Sequence, residues 1–408
     1  MIDFDEAGAI VAALAPLGCE VVALPEAEHR TLAERIVAVE DLVPFPRSAM
    51  DGFAVRAADT RDAPVTLPIA ATVYAEADSA THAPFTATAI ATGGAIPHGA
   101  DAVIPIEDTI VSPEAIAIAA AVQAGHHVFP PGEDARAGDE LAAAGTVLSG
   151  PVLGLLAAAG ITRVPVYRRP RVALLSTGNE LVPFDATPQR GQIRDSNAIA
   201  LSAALRAFGV ASISVSTVID DREAVRSALE QAFATADLVI TCGGASVGAR
   251  DFVKAACTEL GVTFAFTSVG LRPARPTAFG RRGPAVVAVL PGNPASAFVA
   301  LHEFVRPAVA ALGGRTDGRM ARIPAILDGS LHARSGRAFA AYARVRLDAA
   351  GFVATPLPNQ CSALTRLAAD ADGFVIVPAD GVDLQPGDRV LVDVVSWDRV
   401  RHAEFSLP

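Results

Sequence analysis

Apolar residues recur along the chain with changing periods, and each change marks a new unit. Residues 1 to about 38 read as helical, with Phe4, Ile10, Leu14, Leu32 and Ile36 at mixed helical spacing until Pro44 and Pro46 end the pattern. From about 39 to 129, short β-branched runs at 65–69, 71–74 and 102–106 alternate with Gly and Pro turns, which predicts a β-rich insert. Pro130-Pro131-Gly132 marks its exit. The apolar run Val152 to Ala159, bounded by Gly150 and Gly160, predicts a short helix that leads on through Val164-Pro165-Val166.

Residues 170 to about 314 carry the clearest alternation: strand 172–176, helix 198–208, strand 212–218, helix 222–234, strand 238–241, helix 252–260 and strand 285–290. A last helix starts at Pro294 and places Phe298, Leu301, Val305, Val309 and Leu312 at spacings of three and four, with a kink expected at Pro307. The strands at 238–241 and 285–290 are continuous apolar runs of the doubly buried kind. Alternating elements of this sort predict a doubly wound, mostly parallel sheet with helices on both faces. From about 320 onward, short alternating strands at 342–347, 351–355, 373–377 and 389–395 predict a small β-barrel or sandwich. The expected organisation is a mixed linker and dimerisation domain (1–38 with 130–169), a β-rich insert (39–129), an α/β domain (170–314) and a C-terminal β domain (320–408).

With 408 residues, 51% hydrophobic and 19% charged, the chain can bury sizeable cores. Its net charge of −11 argues against a broad nucleic-acid surface. Lys254 is the single lysine, arginine supplying the other basic side chains. Cys19, Cys242, Cys257 and Cys361 lie far apart with no CxxC spacing, so neither a disulfide framework nor a zinc site is indicated. The mean hydropathy is +0.38, yet every run of about 18 apolar residues is broken by Gly, Pro or charge. With acids at the N-terminus where a signal peptide carries bases, a cytoplasmic location without membrane association is expected.

Ligands of open α/β sheets bind beyond the C-terminal strand ends, so the loops there carry the candidate chemistry. In Ser176-Thr177-Gly178-Asn179-Glu180-Leu181, small residues admit a ligand close to the backbone and Glu180 supplies an acid, although a plain turn with a solvated glutamate reads the same way. Gly243-Gly244-Ala245-Ser246-Val247-Gly248 exposes successive backbone N–H groups suited to an anion, and the helix start after it adds partial positive charge. Asp251 opens that helix as an N-cap or as a ligand. Lys254 follows in the first turn, where a cation opposes the helix dipole unless an anion lies nearby. In Pro291-Gly292-Asn293-Pro294, capping by Asn293 and Pro294 accounts for the helix start, whereas Pro291-Gly292 brings backbone close to whatever lies above the sheet. Of Asp220-Asp221, one acid caps the next helix, or both bind a hard cation such as Mg2+. Glu180, Asp220 and Asp251 together point to a shared metal and phosphate site. Earlier in the chain, Met50, expected to be buried, stands beside an Asp51-Gly52 turn, and Thr92-Gly93-Gly94 forms another turn signal.

These segments together resemble the molybdopterin molybdenumtransferase family, which includes the C-terminal domain of gephyrin. The resemblance runs in order through Ser48-Ala49-Met50-Asp51-Gly52, Thr92-Gly93, Gly132-Glu133-Asp134, 176–181, Gly191-Gln192-Ile193-Arg194-Asp195-Ser196-Asn197, 243–248 and 290–294. It implies an enzyme that binds adenylylated molybdopterin and molybdate with Mg2+ and releases AMP. It also implies an active site containing Asp51, Glu180, Asp220 and Asp251, with Thr92 nearby. A homodimer is implied, the Asp51 segment reaching the partner's α/β domain, and a molybdopterin adenylyltransferase and recipient molybdoenzymes are the further partners expected. Molybdate, an oxyanion, is expected against Arg272 and Arg275. There the chain departs from the family's usual Lys-Pro-Gly-Lys-Pro with Arg272-Pro273-Ala274-Arg275-Pro276, and it has Gln360-Cys361-Ser362 for Gln-Gly-Ser. Arg337 or Arg344 fills a further family arginine position. These departures suit an alternative, a catalytically weakened paralogue that binds molybdopterin or a protein partner. The extra domains argue against a stand-alone adenylyltransferase.

Overall fold

The structure is a computed structural model that describes residues 1–73, 81–244, 252–333, 336–380 and 383–402. Contacts group the chain into two compact units: Met1–Val21 with His29–Ala33 and Pro165–Pro408, and Val22–Glu28 with Glu34–Val164.

The second unit holds a six-stranded sheet in the order Ala102–Pro105, Gly52–Val55, Ala87–Ile90, Val65–Val73, Ala115–Ile118, Thr109–Val111. The runs expected at 65–69 and 71–74 are one strand, Val65–Val73, whose register shifts between Ile69 and Ala71; Tyr74 lies outside the described residues. Phe53, Val55, Leu67, Ile104, Ile116 and Ile118 form the core of this sheet.

The helical reading of residues 1–38 is corrected. Only α1, Phe4–Ala12, and a 3-10 turn, Leu24–Glu26, are helical; Asp3 caps α1 by accepting from the backbone N–H of Asp5, and α1 buries Phe4, Ala7, Gly8 and Val11. Pro16 and Gly18 follow, and neither sustains a helix. Leu32 instead forms a bridge with Val166, and Ile36–Val37 is a strand paired with Glu140–Ala142. β-branched residues spaced by turns took these positions despite their helix-like spacing.

The first unit is built on β1 (Arg171–Thr177), α2 (Ser196–Ala207), β2 (Ser212–Val218), α3 (Arg222–Thr235), β3 (Leu238–Cys242), α4 (Val253–Glu259), β4 (Thr263–Phe266), β5 (Ala278–Arg282) and β6 (Ala285–Leu290). The sheet order is β2-β1-β3-β6-β5-β4. The first three pairings are parallel and the last two antiparallel. Successive side chains of one strand enter opposite layers, as the strand period requires. Val172 and Leu174 join the layer of α2, whereas Ala173 and Leu175 join that of α3 and α4; Val286 and Val287 divide likewise. Burial on both faces is why these strands are continuously apolar.

The helix beginning at Pro294 is α5 (Pro294–Ala300), a π-helical stretch Leu301–Val305, and α6 (Arg306–Leu312). Pro307 has no N–H to give the carbonyl of Glu303, and the irregularity falls in the turn before it as a change of helix type. This is the one helix among the described residues long and apolar enough to cross a membrane, and it is mostly buried in the core. The C-terminal strands β7 (Arg322–Leu327), β8 (Ala338–Asp348), β9 (Gly351–Pro356), β10 (Gly373–Val377) and β11 (Arg389–Val394) close a barrel in the order β8-β9-β7-β11-β10, with β10 returning to β8. Alternation along β8 joins the barrel to the α/β core: Ala341, Ala343 and Val345 pack inside the barrel, while Ala340 and Tyr342 enter the helix layer. There the Tyr342 hydroxyl donates to the Ala295 carbonyl at 2.6 Å.

A cavity of about 180 Å3 between α1, the π-helical stretch and the barrel holds Glu303. Burial, then the charge of Asp393, pushes its carboxyl up to about 8 against the opposing pull of Arg322, Arg319 and Arg306. An acid raised on folding binds its proton more tightly when folded, so its contribution is complete below its ordinary 4.5 and fades as pH climbs toward about 8. Glu303→Gln is therefore expected to flatten the fall in thermal midpoint across that interval relative to the wild type; parallel pH profiles for the two proteins would refute this.

Candidate active site

The C-terminal ends of β1, β3 and β6 approach so closely that side chains are excluded. A Cβ at Gly243 would lie 2.4 Å from the Thr177 carbonyl oxygen, and one at Gly292 would lie 3.2 Å from the Gly243 Cα. Gly243 also has φ +99°, a left-handed conformation. Its N–H donates to the Leu290 carbonyl at 3.2 Å, so the loops after β3 and β6 are joined backbone to backbone.

Side chains complete the joint. Asn197, at the start of α2, donates from Nδ2 to the Gly292 carbonyl at 2.7 Å and to Cys242 Sγ at 3.2 Å. The Cys242 thiol donates to the Pro291 carbonyl at 3.4 Å. Burial pushes that thiol up to about 12, so it stays protonated and remains a donor. Asp195 caps α2 through the Ala198 N–H at 2.9 Å, while its own N–H donates to the Val182 carbonyl. Leu181–Val182 and Ile193–Arg194 pair in parallel, which zips together the Glu180 and Asn197 segments.

Above this joint lies a cavity of about 790 Å3 that Ser176, Thr177, Glu180, Asp220, Gly243 and Gly292 help to line. The Asn179 side-chain oxygen accepts the Asp220 N–H at 3.0 Å, tying the β1 loop to the β2 loop and bringing Glu180 and Asp220 to the same cavity. The Glu180 carboxylate folds back over Gly178, where a Cβ would lie 2.8 Å from Oε1. Asp221 is the N-cap of α3, accepting from Glu223 and Ala224 at 3.0 Å, which leaves Asp220 for the cavity. The buried hydroxyls of Ser176 and Thr177 have no hydrogen-bond partner among the described residues. Unpartnered buried hydroxyls are unusual and are satisfied when a polar ligand arrives.

A second cavity, about 410 Å3, shares Pro276, Pro291 and Asn293 with the first. Arg272, Arg275 and Arg337 line it, with Cys361 and Ser362. Arg272 stacks over the Phe339 ring, 4.9 Å from its centre. Arg344 turns elsewhere, donating to the Asp370 carbonyl at 3.3 Å. Asn293 occupies the N-cap position of α5 but makes no side-chain capping bond, a correction to its expected role. Its Nδ2 reaches the Ser362 hydroxyl at 3.2 Å, and the Ser362 carbonyl accepts the Ala295 N–H at 3.1 Å. Gln360 clamps this loop to both backbone groups of Tyr342, each at 2.9 Å.

Of the remaining expected residues, Pro291 and Gly244 line the first cavity. Lys254 does not line it; its Nζ donates to the Thr267 carbonyl at 3.3 Å. Ser246, Gly248 and Asp251 lie outside the described residues. Among the described residues no three His, Cys, Asp or Glu side chains form a metal-holding group. The carboxylates of Glu180 and Asp220 beside free hydroxyls are nevertheless hard oxygen donors of the kind Mg2+ accepts, since that ion uses one or two protein carboxylates and completes its shell with water and phosphate.

In the other unit, Asp51 and Thr92 form one constellation. The Thr92 N–H donates to Asp51 Oδ1 at 2.7 Å, and this bond, followed by one from the Thr92 side chain, holds the carboxyl below its usual range. Gly93 N–H donates to the Ser48 carbonyl and Ser48 N–H to that of Gly94, at 2.8 and 2.9 Å. Met50, expected to be buried, is exposed, because the Ser48 hydroxyl bonds the Met50 backbone and the turn carries its side chain outward. Sequence reasoning assigned no role to Asn197, Cys361 or Ser362; for Asn197 the signal was its place at the end of the 191–197 segment.

Three family models match the chain: the MoeA N-terminal region (domain I and II) over residues 2–160, a probable molybdopterin binding domain over 173–311, and the MoeA C-terminal region (domain IV) over 324–395. The chain is 38% identical over 328 residues to molybdopterin molybdenumtransferase 2 of Mycobacterium tuberculosis, covering 78% of this chain and 80% of that one. It is 36% identical over 299 residues to the molybdopterin molybdenumtransferase of Bacillus subtilis, covering 71% and 70%. Its structure superposes on a molybdopterin biosynthesis MoeA protein from Pyrococcus horikosii with a TM-score of 0.82 at 30% identity, over 97% of this chain and 99% of that one.

The packing at the strand ends can be checked with a thiol reagent. Cys19 and Cys361 are exposed, whereas Cys242 and Cys257 are buried and both pushed up to about 12. Native protein is expected to lose its two exposed thiols promptly and the other two only on unfolding; prompt labelling of Cys242, identified by peptide mapping, would show that the joint opens.

Proposed function

The chain belongs to the molybdopterin molybdenumtransferase family, and from that premise we propose that it inserts molybdate into adenylylated molybdopterin, with Mg2+, and releases AMP. The observation that carries this reading is the pair of adjoining cavities of different character. One is lined by Glu180, Asp195 and Asp220 with a single arginine, Arg194, and by small residues and glycine backbone; the other is lined by three arginines, and Pro276, Pro291 and Asn293 belong to both.

Phosphoanhydride chemistry asks chiefly for positioning and charge stabilisation. In the larger cavity the Ser176 and Thr177 hydroxyls and the glycine backbone hold phosphate oxygens, while Glu180 and Asp220 hold Mg2+, with Asp251 assigned the same role by the resemblance. When bound, that ion offsets phosphate charge. In the smaller cavity Arg272, Arg275 and Arg337 hold molybdate, a tetrahedral dianion. Guanidinium groups present several donors in a fixed fork and suit such oxygens. The wall shared through Pro276, Pro291 and Asn293 supports this reading, because an oxyanion held in the smaller cavity would adjoin a substrate held in the larger one. The resemblance assigns Asp51, whose carboxyl Thr92 holds below its usual range, to the active site formed with the partner's α/β domain. The protein acts as a homodimer, which sedimentation equilibrium tests.

Two measurements test the assignment. Purified protein given Mg2+, adenylylated molybdopterin and molybdate is expected to release AMP, and Asp51→Ala or Asp220→Asn to reduce the rate at least a hundredfold, the scale lost with a charge-stabilising group. Tight nucleotide binding without molybdate-dependent release would favour the binding paralogue instead. Independently of activity, molybdate is expected to slow alkylation of Cys361 about tenfold and leave Cys19 unaffected, tenfold protection corresponding to roughly 90% occupancy. Equal rates with and without molybdate would remove the oxyanion from the arginine cavity.

A further inference from the structure

At the opposite end of the central sheet lies a cavity of about 400 Å3 that the proposed reaction does not use. It sits where β1 begins and α2 and α6 end, and the seven residues of β1 separate it from the candidate active site by about 20 Å at the usual strand rise. Four guanidinium groups line it, those of Arg30, Arg169, Arg206 and Arg315, together with the rings of Tyr167 and Phe208. No carboxylate lines it, in a chain whose acids outnumber its bases by 44 to 33.

Local structure explains part of the cluster. Arg206 stands in the last turn of α2, where a cation favours the helix dipole. Arg315 pairs with Asp317 through two bonds of 2.8 Å. Arg30, buried at 9% exposure, donates to Glu20 and to the Tyr167 carbonyl, yet its Nε has no partner among the described residues. Glu20 thus pairs with Arg30 and Asp317 with Arg315. Burial, then the charge of Arg30, lowers the affinity of Arg169 for its proton, the direction expected where like charges converge in a partly desolvated space. A bound anion relieves that repulsion.

We propose that this cavity is a second, non-catalytic site for a small organic phosphate monoester. The tetrahedral dianion lies among Arg30, Arg169, Arg206 and Arg315, and the organic part against Tyr167 and Phe208. The volume argues for the ester over the free ion, since about 400 Å3 lies within the range of small-molecule sites and far exceeds an inorganic oxyanion. The Tyr167 ring is held ready, for a Cβ on Gly314 would lie 2.1 Å from it, so the ring already rests on bare backbone.

The test is calorimetric titration of the full chain at low salt with phenyl phosphate and, separately, inorganic phosphate. Phenyl phosphate is expected to bind at least tenfold more tightly than inorganic phosphate. Arg169→Ala combined with Arg206→Ala is expected to weaken it at least tenfold, while Arg272→Ala with Arg275→Ala leaves it unchanged. Arg206→Gln, at an exposed position, is expected to weaken it severalfold with only a slightly lower thermal midpoint in the absence of ligand, from loss of the helix-dipole contact. Undiminished affinity in the Arg169 and Arg206 variants, or loss only in the Arg272 and Arg275 variant, would overturn the site. Equal affinity for the two ligands would overturn the assignment to an ester.

Discussion

Backbone-to-backbone contact at the ends of β1, β3 and β6 is the constraint on which the candidate site depends. Two positions without side chains let three loops meet: at Gly243 a methyl group would strike the Thr177 carbonyl at 2.4 Å, and at Gly292 it would be crowded at 3.2 Å. Once they meet, everything above them has a fixed floor. The Ser176 and Thr177 hydroxyls stand at its edge without partners among the described residues, and the Asn179 bond draws Glu180 and Asp220 to the same space. Asn197 and Cys242 lock the floor through carbonyls of the Pro291-Gly292 turn. The rigidity comes from many small bonds around a packing contact, which is how a shallow sheet edge becomes a shaped cavity.

The barrel matters to this site through Tyr342 and Gln360. Gln360 is bonded to both backbone groups of Tyr342, and the Tyr342 hydroxyl is bonded to the start of α5. The loop carrying Cys361 and Ser362 therefore moves with α5 and with Asn293, so the arginine cavity has one wall from the barrel and one from the α/β sheet without independent freedom between them. An Asn at a helix start whose side chain leaves the cap vacant has been diverted to a different purpose, here the bond to Ser362.

What the sequence disclosed follows from how local each signal is. The strands 172–176, 238–241 and 285–290 were legible because burial on both faces leaves an unbroken apolar run, and the observed strands extend them by at most one residue at either end. The loop candidates were legible because glycines and acids stand directly after those runs. The antiparallel strands β4 and β5 were not, since they are short and their phenylalanines stand among Thr263, Ala265, Ala278, Gly280 and two arginines rather than in an unbroken β-branched run. Nor was the end of α1, where spacing continued past a proline that ended the helix. The pairing of Asp51 with Thr92 joins residues 41 apart, and the meeting of Arg275 with Arg337 depends on how the barrel packs. Such contacts have no periodicity to betray them.

The substitution pattern in the arginine cavity has a physical logic. Ala274 stands where the family's usual motif has glycine, and it adopts φ +99°, a conformation that costs an alanine about 1–2 kcal/mol. Against this stands a methyl that is 2% exposed in the main core, worth about 0.8 kcal/mol of burial. An alanine also gives up less chain entropy on folding than a glycine would. These contributions nearly cancel, and the Thr277 hydroxyl and N–H, both bonded to the Ala274 carbonyl, hold the turn in place. The loop can therefore exchange glycine for alanine while keeping its shape. The change from lysine to arginine on either side is the weightier one, because a planar fork stacked on Phe339 presents donors in a fixed direction where an ammonium would swing. The cavity thus trades adjustable point charges for fixed ones, and a rigid loop is the condition under which fixed donors can match a tetrahedral ion.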